Sequence, residues 1–162
     1  MNLLLRTTLI LLDIDGVLNP FLGTGFIDKG YLPLRTQYHT ALLPPNGAEI
    51  ISRLQQLDEV MWVSAWQEDS NEVMDLYGLP HLKWISFAHQ AVFNRFSSPK
   101  LAAVEHFYTV HRPKKFVWIE DEIDNEITDW MSDIGLLVVP DPSVGLTDEH
   151  MEEISGYYGC LQ

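Results

Sequence analysis

Four short runs of uninterrupted apolar residues punctuate the chain, at 8–12, 60–63, 116–119 and 136–139. Runs of this length without polar alternation suit strands covered on both faces, as in a parallel sheet. A fifth stretch, Lys-Trp-Ile-Ser-Phe at 83–87, is a further strand candidate. Between these runs the apolar positions recur at helical spacing. Ile50, Ile51, Leu54 and Leu57 share one face over 48–57. Val104, Phe107 and Tyr108 do so over 101–110, and Ile127, Trp130 and Met131 over 123–134. Strands alternating with helices predict right-handed crossovers, hence an α/β fold with an open parallel sheet and helices on both faces.

Residues 19–45 break this alternation. Gly23, Gly25, Gly30, Pro20, Pro33, Pro44 and Pro45 are interleaved there with Phe21, Phe26, Tyr31 and Tyr38. Gly and Pro at this density predict a loop or β-hairpin excursion, and long excursions in compact domains often act as lids. No internal repeat or low-complexity linker is present. The 162 residues fit one domain over 1–162, since domains commonly run ~100–200 residues.

Composition narrows the function. At 46% hydrophobic and 20% charged residues the chain is neither disordered nor fibrous. The net charge of −13 is unevenly spread, because residues 116–162 hold 12 acids and no Lys or Arg. Strong nucleic-acid binding by counterion release is therefore not expected. A single cysteine, Cys160, allows no internal disulfide. The apolar stretch 3–12 lacks the basic start and cleavage site of a signal peptide, and no run reaches a membrane span of ~20 residues. These features predict a cytoplasmic protein without membrane attachment.

Ligands of open α/β sheets bind beyond the carboxyl ends of the strands. Asp13-Ile14-Asp15-Gly16 follows the first apolar run, Ser64 follows the second, and Glu120-Asp121 follow the run at 116–119. Two carboxylates two residues apart at a strand end can share one cavity, where like charges demand a cation, a proton or solvent. In Ser98-Pro99-Lys100, Ser98 reads as a helix N-cap and Pro99 as the first helical residue. Lys100 then falls in the first turn, where the helix dipole disfavours a cation. That local conflict suggests a role in binding phosphate or offsetting carboxylates. Glu120 and Asp121 suit a hard-cation site, with Asp124 one turn further on as a supporting group. Ser64 has no partner histidine and no G-x-S-x-G around it, so it reads as a hydroxyl donor to an anion. Trp62 and Trp66 read as core and cavity wall, and the six histidines form no ligand pattern.

The order strand–D-x-D-G-V-L, strand–Ser, Pro-Lys at a helix start and strand–acidic pair resembles the haloacid dehalogenase (HAD) superfamily over residues 8–140. The resemblance implies a Rossmann-like sheet and a Mg²⁺-dependent phosphatase. It makes Asp13 the nucleophile and Asp15 the general acid and then base. Ser64 and Lys100 would hold the phosphoryl oxygens. Asp13, the Asp15 carbonyl, Asp121 and Glu120 would hold Mg²⁺, with Glu120 standing where the family more often has Asp or Gly. The cap is minimal: a flap at 19–45 and no large cap domain, which favours bulky or macromolecular phosphoesters such as nucleotides or nucleic-acid ends. Trp-Val-Ser-Ala-Trp-Gln-Glu-Asp-Ser-Asn and Val-Pro-Asp-Pro-Ser-Val-Gly-Leu-Thr are similar to a HAD branch associated with RNA-repair proteins. Lys29, Arg35 and Arg95 are candidate substrate contacts by position. Two other readings compete. A non-catalytic binding module could keep the fold, although all five functional positions are filled. A receiver-type signalling domain is disfavoured by the D-x-D spacing and by the lack of an Asp after Val63.

Overall fold

A computed structural model describes residues 8–21, 29–87, 96 and 98–159. Its elements begin with β1 (Leu9–Leu12), β2 (Leu32–Arg35), β3 (Thr40–Leu43), α1 (Gly47–Leu57) and β4 (Glu59–Trp62). A 3-10 turn (Gln67–Ser70), α2 (Asn71–Tyr77) and α3 (Pro99–His111) follow. The chain continues through β5 (Phe116–Ile119), α4 (Asn125–Ser132), β6 (Leu136–Val138) and α5 (Asp148–Gly159). The four continuous apolar runs are thus the four strands of one parallel sheet, in the order β4-β1-β5-β6.

Side-chain alternation explains why these strands are apolar throughout. Leu9 and Leu11 of β1 enter one core with Phe116, Trp118, Leu101, Val104, Ile127 and Met131, beneath α3 and α4. Ile10 and Leu12 enter the opposite core with Ile51, Leu54, Val73, Met74, Met151 and Ile154, beneath α1, α2 and α5. Each fully buried aliphatic side chain contributes about 1.5–3 kcal/mol of transfer free energy. A polar residue on either face would forfeit that term and leave an unpaired group in the core.

The register sets the site. Leu12 lies opposite Trp62 on one side and Ile119 on the other, so the three strands end level. Asp13, Val63-Ser64 and Glu120 therefore leave the sheet at the same height. The chain runs from β1 outward to β4, then crosses to β5 on the other side of β1. The switch point, where such sheets bind ligands, falls between β1 and β5.

The described part of the excursion at 19–45 carries a hairpin. β2 and β3 pair antiparallel with Leu34 opposite Ala41. The Thr36 hydroxyl accepts the Tyr38 and His39 N–H groups at 3.2 and 2.9 Å and closes the turn. Residues 22–28 of the excursion lie outside the described residues. Among the described residues there is no large cap domain.

Two sequence expectations shift, and one further helix appears. The segment 83–87 makes a single parallel bridge, Trp62 to Trp84, instead of a strand. Gln67 ends the pairing, since its side-chain oxygen accepts the Phe87 N–H at 2.8 Å and takes that donor away from β4. The helix expected from 123 starts at Asn125, because the Asp124 carboxylate caps it by accepting the Ile127 N–H at 2.8 Å. The acidic segment after Thr147 forms α5, which covers the sheet through Met151 and Ile154. Lys115 Nζ reaches the carbonyls of Tyr157 and Tyr158 at 3.2 and 3.1 Å, placing a cation at the negative end of that helix. Cys160 lies outside the described residues. No described helix is long and apolar enough to cross a membrane.

Candidate active site

At the level ends of β1 and β5 a lysine joins two buried carboxylates. Lys100 Nζ lies 2.9 Å from Asp13 Oδ2 and 2.6 Å from Glu120 Oε2. Its approach depends on the start of α3, where the Ser98 hydroxyl accepts the Leu101 N–H at 3.2 Å and Pro99 opens the helix. Asp13 is turned by its own backbone, Oδ1 accepting the Ile14 N–H at 2.8 Å. Glu120 is fully buried, and its second oxygen accepts the Glu122 N–H at 3.2 Å.

Burial pulls the Lys100 ammonium toward deprotonation, but Asp13 and Glu120 outweigh it and hold its pKa above the ordinary lysine value. Glu120 moves the other way from a free carboxylate. Burial and the charge of Asp13 push it up to about 9, against the pull of Lys100. Burial and Asp13 also raise the pKa of Asp121. The cluster is short of positive charge.

Asp13, Glu120 and Asp121 each offer an oxygen, all within 4.8 Å of one another. Three hard oxygen donors fit Mg²⁺, which keeps waters and needs no closed cage. Gly16 makes room for this cluster. Its φ is +73°, and a Cβ there would run into the Asp121 carboxylate. The glycine of D-x-D-G thus supplies both the turn and the space.

Asp15 faces the same cavity, of about 380 Å³, together with Asp13, Lys100, Asp121 and Phe21. Its carboxylate is held by neutral donors: Asn19 Nδ2 donates to Oδ1 at 2.8 Å and Trp66 Nε1 to Oδ2 at 2.9 Å. A loop after β6 braces this turn, with Leu146 N–H on the Val17 carbonyl at 2.9 Å and Phe21 N–H on the Pro142 carbonyl at 2.7 Å.

The D-x-D-G turn, the Pro-Lys helix start and the acidic pair therefore converge as their strand-end positions suggested. Ser64 is buried after β4, and its hydroxyl accepts the Trp66 N–H at 3.2 Å. The neighbouring Ala65, not Ser64, lines the cavity. Asp124 is spent on capping α4 instead of supporting the acidic pair. Arg35 lines a second cavity beyond Phe21, and Arg95 lies outside the described residues. Asn19 and Trp66 were not singled out as site residues in the sequence. The indole belongs to the segment Trp-Val-Ser-Ala-Trp, but its partner lies 51 positions away.

A family model described as the HAD domain in Swiss Army Knife RNA repair proteins matches residues 9–151. The chain belongs to this family. Among curated proteins, none matches the sequence. As a HAD domain the chain has a phosphohydrolase type of function, and HAD proteins generally use Mg²⁺. The match spans all the strand-end residues described above, from Asp13 to Asp121.

Proposed function

We propose that this HAD domain is a Mg²⁺-dependent phosphatase that works through an aspartyl-phosphate on Asp13, with a phosphorylated nucleic-acid end or nucleotide as substrate. The observation that carries the proposal is Lys100 lying between Asp13 and Glu120 with Asp121 alongside, and with Asp13, Lys100 and Asp121 facing one cavity. A structural ion pair would not need a third carboxylate crowded against it.

The Asp13 carboxylate attacks phosphorus, and the bond from phosphorus to the leaving oxygen breaks with its electron pair on that oxygen. Asp15 gives the leaving oxygen a proton. A water then attacks the phosphoryl group, Asp15 takes its proton, and phosphate departs from Asp13. Positioned acid–base help of this kind is worth on the order of 10²–10⁴-fold. Lys100 holds a phosphoryl oxygen and reduces repulsion between the Asp13 carboxylate and the phosphate dianion. Asp13, Asp121 and the Asp15 carbonyl, with Glu120 behind them, would hold Mg²⁺, which would supply Lewis-acid charge there. Glu120 is fully buried, whereas Asp121 lines the cavity beside Asp13, which favours Asp121 as the direct ligand.

Two features support a bulky substrate. No described cap domain closes over the site, and the cavity beside it is open ground. That groove, of about 660 Å³, runs from Phe21 along the hairpin to Arg35, pairing an exposed aromatic ring with a cation. Such a pair suits a nucleoside ring and a flanking phosphate. The net charge of −13 argues against tracking along a nucleic-acid backbone and for reading an end.

The test is phosphate release from small phosphoesters, nucleotides and 3′- or 5′-phosphorylated oligonucleotides, with Mg²⁺ and with EDTA. Metal-dependent release is expected, falling by about three orders of magnitude or more in Asp13→Asn. Absence of turnover on the whole panel, or full activity of Asp13→Asn, would overturn the mechanism and leave a binding module.

A further inference from the structure

Asp15 is clamped from outside the sheet. Both of its oxygens accept neutral N–H donors, from Asn19 at 2.8 Å and from the Trp66 indole at 2.9 Å. Both donors are in turn held by the hairpin. Asn19 Oδ1 accepts the Leu42 N–H of β3 at 2.8 Å. The His39 ring, from the turn before β3, lies flat on the Trp66 ring with centroids 4.6 Å apart and planes 8° from parallel. His39 Nε2 is 4.0 Å from the Asp69 carboxylate, which ties the hairpin turn to the 3-10 segment after Trp66. Trp62, four residues earlier, uses its indole N–H differently, on Asn71 at 3.1 Å within the scaffold.

We propose that Trp66 and Asn19 are positioning residues that fix the carboxylate of Asp15 for proton transfer, and that the hairpin sets their position through His39 and Leu42. The inference rests on the reading of Asp15 as the acid–base group. A carboxylate with a free rotor must be ordered at the moment of reaction, whereas one gripped on both oxygens arrives ordered. Each oxygen keeps a second lone pair for the proton it transfers. The hairpin is then a part of the catalytic apparatus as well as a wall of the substrate groove.

Two readouts test this. In ¹H–¹⁵N spectra the Trp66 indole N–H, identified by its loss in Trp66→Phe, should shift in Asp15→Asn and again in His39→Ala, where the stacked ring is removed. An indole signal indifferent to Asp15→Asn overturns the clamp whether or not the protein is active. The second readout is kcat/KM on two phosphoesters. In Trp66→Phe it should fall about 10–100-fold for an alkyl phosphate, whose leaving oxygen needs a proton, with KM within about twofold. For p-nitrophenyl phosphate, whose leaving group departs as the anion, the fall should be at most about threefold. His39→Ala, on the hairpin surface, should repeat the pattern at smaller amplitude and covers the case in which Trp66→Phe does not fold. Equal losses on both esters, or none, overturn the proposal. Wild-type inactivity on both esters instead overturns the phosphatase reading, and the spectra alone then decide the clamp.

Discussion

The two carboxylates of D-x-D are two residues apart, yet they are held by different physics. Asp13 belongs to a charged side, where a half-buried ammonium and two further acids crowd one another. Asp15 belongs to a neutral side, where amide and indole N–H groups hold it and no cation is within bonding distance among the described contacts. Charge compensation fixes Asp13 next to groups that also favour an anion-bearing substrate. Neutral donors fix the geometry of Asp15 without committing a cation that would oppose proton transfer. One turn of chain thus carries a group suited to attack phosphorus and another suited to move protons.

The largest effect should come from breaking the charged side. Lys100→Met leaves Asp13 and Glu120 buried without their cation, which typically costs about 3–5 kcal/mol. Urea unfolding in EDTA at pH 9 should show that loss. From pH 6 to about 9 the loss should be nearly constant, because Glu120 holds its proton in both folded proteins. It should grow above about pH 9, where the wild type alone ionises Glu120. A loss that does not grow there would mean that Lys100 contributes through packing alone.

Glu120 itself sharpens the point. Its folded-state pKa is raised from 4.5 to about 9, so the folded protein binds that proton more tightly than the unfolded chain does. The resulting stability is fully present below about pH 4.5 and is lost as pH rises toward about 9. In EDTA, the unfolding free energy of the wild type should therefore fall across that window relative to Glu120→Gln. Parallel pH curves for the two proteins would remove Glu120 from the charged cluster.

The smallest effect belongs to the neutral side. Asn19→Ala removes one donor to Asp15 and one acceptor for Leu42, a loss of about 1–2 kcal/mol. That loss should be the same at pH 6 and pH 9, measured by the same unfolding curves. A pH-dependent difference would show that the neutral side is coupled to the charge of the cluster.

Most of the sheet and the charged side were legible in the sequence, for a shared reason. A strand buried on both faces must be apolar throughout, so 9–12 and 116–119 advertise themselves, and the polar residues just beyond them mark the strand ends. Lys100 was legible because a cation in a first helical turn contradicts the local dipole. α5 was not, because only Met151 and Ile154 of its twelve residues are buried, too few to mark an apolar face. The segment at 83–87 has strand composition but meets a glutamine that takes its donor, which no pattern within the segment reveals. The neutral clamp was also hidden. Trp66 looks like any core aromatic until the fold brings it to Asp15, and His39 has no ligand spacing to distinguish it.

Because β1 lies between β4 and β5, its two neighbours pair with it from opposite ends of the chain's history. Leu12 meets Trp62 after about fifty residues of synthesis, but Ile119 only after roughly a hundred. Pairings so distant in sequence carry a large loop-closure cost and form slowly. Until β5 emerges, one edge of Leu-Ile-Leu-Leu stays unpaired, a template for contact with other chains. The centrality that later brings Asp13 beside Glu120 thus leaves the first strand open to misassembly until β5 is made.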